Sequence, residues 1–114
     1  MKATIWHNPR CSKSRQALAI LEAKSGLEIE VVEYLKTPPT RSEIEAVLKK
    51  AGIAPSQAIR KGEAVAQEIG LDTNDDMAML NAMAAYPILI ERPIIITEKG
   101  VVIARPPEKA HDIL

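Results

Sequence analysis

The sequence predicts an α/β domain in which a four-stranded mixed sheet is flanked by helices and carries an inserted helical subdomain. Three observations carry this. Apolar stretches at 3–6 and 28–35 are separated by a helical pattern, which requires a parallel crossover. Two later runs, 94–97 and 101–104, are separated only by Glu98-Lys99-Gly100, a hairpin turn that makes them antiparallel. Between 53 and 86 Gly, Ala, Asp and Met dominate and no strand pattern occurs.

Length and composition bound the rest. At 114 residues the chain reads as one domain, 1–114, able to bury roughly two-thirds of its unfolded surface without staples. Hydrophobic content of 46% with 26% charged residues is that of a soluble globular protein. A formal net charge of zero argues against a generic nucleic-acid binder. The first ten residues hold Trp6, His7, Asn8, Pro9 and Arg10 and no apolar signal core, and no segment reaches the ~18 apolar residues of a membrane span. No membrane or nucleic-acid partner is expected, and the cytoplasm is the expected compartment. A single cysteine forms no internal disulfide and stays reduced there.

In chain order, 3–6 reads as a first strand and 11–24 as a first helix, stopped near Gly26. Residues 28–35 alternate and read as a second strand, broken by Pro38-Pro39. Thr40-Arg41-Ser42-Glu43 fits a capping box, with Ile44, Val47, Leu48 and Ala51 following at helical spacing and Gly52 closing the helix. Short helices are expected near 55–60, 63–69 and 74–85, the last begun by Thr73 or Asn74. Met77, Met79 and Met83 recur at helical spacing, the pattern of core filler. The apolar runs at 88–90, 94–97 and 101–104 suit strands covered on both faces, and 107–113 reads as a terminal helix. This order is the thioredoxin-like arrangement.

The chemistry concentrates at His7-Asn8-Pro9-Arg10-Cys11-Ser12-Lys13-Ser14-Arg15. A lone cysteine is ordinarily a small buried hydrophobe, but this one sits in a polar, basic loop at a strand–helix junction. Helix N-terminal N–H groups and nearby cations lower a thiol pKa, whereas burial raises it. Ser14 stands where a dithiol motif has its second cysteine, so any redox cycle takes its second thiol from outside, from glutathione or a partner protein. Ser12 and Ser14 could donate hydrogen bonds to the thiolate, or simply open the helix. His7 could orient or ionise the thiol, or cap the strand. Cys11, His7 and His111 do not form a spaced metal-ligand set, so no metal is expected. Of six arginines, Arg92 and Arg105 precede prolines at the two ends of the hairpin region. An X–Pro bond before a strand is a candidate cis bond, and guanidinium groups there suit a tetrahedral oxyanion.

With these residues assembled, the sequence resembles the glutaredoxin-dependent arsenate reductases. The resemblance lies in the loop around Cys11, in Pro87-Ile88-Leu89-Ile90-Glu91-Arg92-Pro93-Ile94-Ile95, in Arg105-Pro106-Pro107-Glu108, and in the segments Tyr34-Leu35-Lys36-Thr37-Pro38-Pro39 and Ile59-Arg60-Lys61. It implies Cys11 as nucleophile and Arg60, Arg92 and Arg105 as oxyanion-binding arginines. It implies His7 as the histidine that influences the thiol, Ser14 as its neighbouring serine, and Pro93 as a cis proline. The Ser12-Lys13 pair departs from the Gly-Thr of some members. The implied reaction reduces arsenate, or a similar oxyanion, to arsenite with glutathione as co-substrate and glutaredoxin as partner. It uses no metal and no tightly bound cofactor.

Two alternatives use the same scaffold. One is a glutathione-dependent thiol oxidoreductase. The other is a regulator of the Spx type, which binds RNA polymerase and carries a Cys-X-X-Cys switch. Here Cys11 is followed by Ser14, and that switch is missing.

Overall fold

Strand β1 (Lys2–Trp6) lies at the centre of the first of two units, in a sheet ordered β2-β1-β3-β4. The computed structural model describes residues 1–114. Its first unit comprises Met1–Thr37 and Arg92–Leu114, and its second comprises Pro38–Glu91.

In the first unit β1 pairs in parallel with β2 (Glu28–Val32), from Lys2 opposite Glu28 to Trp6 opposite Val32. Helix α1 (Ser12–Glu22) makes the crossover between them. On its other side β1 pairs antiparallel with β3 (Ile94–Thr97), which continues through a tight turn into β4 (Gly100–Ile103). The four-stranded mixed sheet and its hairpin therefore match expectation. The second strand stops at Val32, short of the expected 35, because its partner β1 stops at Trp6; beyond it Lys36 and Thr37 N–H turn back onto the Glu33 carbonyl. The core joins Ala3 and Ile5 of β1, Ala17 and Leu21 of α1, Ile95 of β3, and Ala110 and Ile113 of the terminal segment. Apolar residues at positions 17 and 21 face one side of α1, and 3 and 5 face one side of β1, as their periods require. The terminal segment Pro107–Ile113 is a 3-10 helix. The Thr97 hydroxyl donates to the Ile113 carbonyl at 2.7 Å and ties that segment to β3.

The second unit is helical: α2 (Arg41–Ala51), α3 (Pro55–Ala58), α4 (Ala64–Glu68) and α5 (Asp76–Ala85). The capping box at Thr40 forms in full, with Glu43 N–H donating to Thr40 Oγ1 and Thr40 N–H to Glu43 Oε1, both at 3.1 Å. Gly52 ends α2 in the left-handed region at φ 70, where glycine alone is unstrained. α2 buries Ile44 and Leu48, and α5, which packs on it, buries Met79, Leu80 and Met83. Met79 and Met83 are core as expected; Met77 is exposed, its sulfur accepting from Arg41 Nη1. The N-cap of α5 is Asp75, not Thr73 or Asn74: its carboxylate accepts the Ala78 N–H, while Asn74 N–H is spent on Asp72 Oδ1. The run at 88–90 is not a strand. Pro87 starts a 3-10 turn through Leu89, and only Ile90 pairs, in a single antiparallel bridge with Ile59. No helix is long and apolar enough to cross a membrane.

Candidate active site

Cys11 is the N-cap of α1, with extended backbone (φ −93, ψ 121), and its carbonyl accepts the Arg15 N–H that opens the helix. The loop before it is built from short-range polar contacts. Asn8 Oδ1 accepts the Arg10 N–H at 3.0 Å and the Asn8 carbonyl accepts the Cys11 N–H at 3.0 Å, an Asx turn that delivers the thiol to the helix end. Arg15 reaches back from α1 and donates to the Pro9 carbonyl at 2.9 Å. His7 continues β1 by one bond, its N–H donating to the Val32 carbonyl. Asn8 and Arg15 thus shape the loop; the sequence signals it only by an asparagine two residues before Arg10, whose N–H its side chain accepts.

Three groups act on the half-buried Cys11 sulfur. Burial pushes the thiol pKa up. Against that stand the Ser14 backbone N–H, hydrogen bonding from the Arg92 side chain, the Lys13 backbone N–H and the Arg92 charge, and together they hold the thiol below its ordinary value. The Ser14 and Lys13 N–H groups belong to the first turn of α1, whose free donors favour a developing anion at the sulfur.

Ser14 contributes through its backbone. Its hydroxyl, fully buried, is committed elsewhere: it meets His7 Nδ1 at 2.6 Å and accepts the Asn8 N–H at 3.1 Å. His7 is buried as well, and burial holds its pKa below 6.5, with Glu33 opposing and Arg15 assisting. The imidazole is therefore held toward its neutral form and is partnered to the serine.

Arg92 and Arg105 both precede cis prolines, Pro93 and Pro106. Pro93 leads directly into β3. Arg105 Nη1 donates to the Arg92 carbonyl at 3.2 Å, so the first unit brings Cys11, Arg92 and Arg105 into one connected group. Arg60 belongs to the second unit, where its Nε donates to Glu63 Oε1 at 3.1 Å and its Nη1 to Glu91 Oε1 at 2.8 Å. Glu91 was not evident as a partner in the sequence, because 31 residues separate it from Arg60, whereas Glu63 lies only three residues on. No group of three or more His, Cys, Asp or Glu side chains is arranged to hold a metal ion.

A β2-β1-β3-β4 sheet, a cysteine at the N-cap of its crossover helix and a cis proline entering the third strand define a thioredoxin-like protein whose active loop has one thiol. The chain belongs to the ArsC family, which it matches over residues 6–113. It is similar to an arsenate reductase from Rhizobium meliloti (strain 1021), 44% identical over 116 residues that cover 100% of this chain and 82% of that protein. It is also similar to an arsenate reductase from Neisseria meningitidis (serogroup A, strain Z2491), 42% identical and covering 96% of each. Among solved structures, an arsenate reductase from Vibrio cholerae superposes with a TM-score of 0.93 at 38% identity, covering 100% of this chain and 98% of that one.

Proposed function

We propose that this chain reduces arsenate to arsenite through a covalent adduct at Cys11, using glutathione and glutaredoxin. The observation that carries the reading is the thiol at the α1 N-terminus whose pKa is lowered by the Ser14 and Lys13 N–H groups and by Arg92. The ArsC membership and the arsenate reductases at about 40% identity support the substrate class.

The Cys11 thiolate attacks arsenic. An S–As bond forms, one As–O bond breaks, and that oxygen leaves as water with protons from solvent. Arg92, Arg105 and Arg60 bind the oxyanion and neutralise charge as it develops. A glutathione thiol then adds to arsenic and a second oxygen departs as water. A glutaredoxin thiolate attacks the glutathione sulfur, and the electron pair of the broken S–As bond stays on arsenic, which becomes As(III). The two external thiols leave as a mixed disulfide. Water cleaves the remaining bond to Cys11, releasing arsenite and the free thiol. Arsenic gains two electrons and two thiols lose one each. His7 and Ser14 hold the loop that carries Cys11, and Pro93 fixes the chain between Arg92 and β3.

The test is arsenite production from arsenate with glutathione and glutaredoxin, together with arsenate protection of Cys11 from alkylation. Activity should vanish in Cys11→Ser. Full activity in Cys11→Ser would overturn the nucleophile. Glutaredoxin-independent turnover would overturn the electron route. Thiol turnover without arsenate protection would favour the glutathione-dependent thiol oxidoreductase.

A further inference from the structure

Arg60 already holds two anions. The backbones of 58–60 and 89–91 pair: the Arg60 N–H donates to the Leu89 carbonyl and the Glu91 N–H to the Ala58 carbonyl, both at 2.7 Å, around the Ile59–Ile90 bridge. That pairing sets Glu91 beside Arg60. The turn at 60–63 returns Glu63, whose N–H donates to the Arg60 carbonyl at 3.3 Å. One guanidinium therefore donates through Nε to one carboxylate and through Nη1 to another. The three side chains are 25%, 29% and 25% exposed, sheltered enough that their attraction is screened less than that of a surface pair. Yet they are not sealed. With Ser56 and Lys61 they line one open cleft of about 550 Å³, through which a solute reaches them.

We infer that Glu63 and Glu91 are resident anions on Arg60, which an incoming oxyanion must displace. The inference rests on the proposed role of Arg60 in oxyanion binding. Its consequence is selection by charge. A monoanion gains nothing from Arg60 that a carboxylate does not already have. A doubly charged tetrahedral oxyanion offers more charge and more acceptor oxygens to the same donors, and displaces a carboxylate. Glu63 and Glu91 are in this sense specificity-determining residues, setting a threshold of charge for entry.

Glutamine replacement separates charge from shape, because Gln keeps the Oε1 acceptor and removes the charge. Inorganic arsenate, phosphate and nitrate serve as probes. Binding is read by protection of Cys11 from alkylation and, for phosphate, by calorimetry. Glu63→Gln and Glu91→Gln should each bind arsenate and phosphate about two- to fivefold tighter than the parent chain, and nitrate should gain detectable affinity. Unchanged or weaker binding in both Gln variants, alongside weakened binding in Arg60→Ala, would overturn the inference while leaving Arg60 in the site. Undiminished arsenate binding in Arg60→Ala would instead overturn the role of Arg60 itself. Thermal melts confirm folding of each variant; should Glu91→Gln fail to fold, Glu63→Gln, at the N-cap of α4, carries the same test.

Discussion

The imidazole of His7 and the hydroxyl of Ser14 meet at 2.6 Å, seven residues apart, inside the turn that presents Cys11. The contact joins the end of β1 to the first turn of α1, and the Asn8 N–H completes it from the loop between. Removing the hydroxyl strands two buried polar groups, His7 Nδ1 and the Asn8 N–H. Ser14→Ala should cost about 1–3 kcal/mol of stability, the penalty for unsatisfied buried donors and acceptors, read from urea unfolding.

The same burial sets a pH dependence. The folded protein resists protonating His7, whereas the unfolded chain takes up that proton near 6.5. Below that pH the unfolded state binds more protons, so stability falls as pH falls. Melts between pH 7.5 and 5.5 should show this decline, and His7→Gln should flatten it.

Arg92 favours the Cys11 thiolate through hydrogen bonding and charge. The pH midpoint for alkylation of Cys11 should lie below that of a free thiol, and Arg92→Gln should move it up. The thermodynamic sign agrees. Between the lowered pKa and the ordinary thiol value the native chain is deprotonated and the unfolded chain is not, so stability rises with pH across that window. Cys11→Ser should remove that rise.

Thr40 caps α2 in the helical unit. Thr40→Ala should destabilise the protein by about 1 kcal/mol, measured by urea or heat, and leave the alkylation midpoint of Cys11 where it was.

What the sequence made legible was whatever depends on near neighbours. The capping box at Thr40 and Glu43, the hairpin at 98–100 and the placement of Cys11 at a strand–helix junction all rest on contacts within a few residues. The ends of elements were less legible where a partner decides them. The alternating pattern after Glu28 continues past Val32, but β1 has nothing further to pair with it. The apolar residues Ile88 to Ile90 look like a strand, yet Pro87 lacks an N–H and turns the chain before only Ile90 finds Ile59. At the site, the nearby actors of the Cys11 loop were visible as residue types, but their assignments were not. Ser14 acts on the sulfur through its N–H because His7 and Asn8 take its hydroxyl. Arg60 could be singled out by family resemblance, whereas Glu91 reaches it only through the 59–90 bridge.

With one cysteine and a serine at the third position of α1, the chain cannot close a disulfide within itself. Every disulfide made at Cys11 joins two molecules, so its formation and its removal are each bimolecular. Dilution therefore slows any such cycle in direct proportion to the second thiol, and no folding of the chain on itself can compensate. A protein with two cysteines in that helical turn would close its disulfide at a rate indifferent to concentration. In the proposed reaction the pace of regeneration is set by the glutathione and glutaredoxin supplied, and kinetic order in those thiols is its signature.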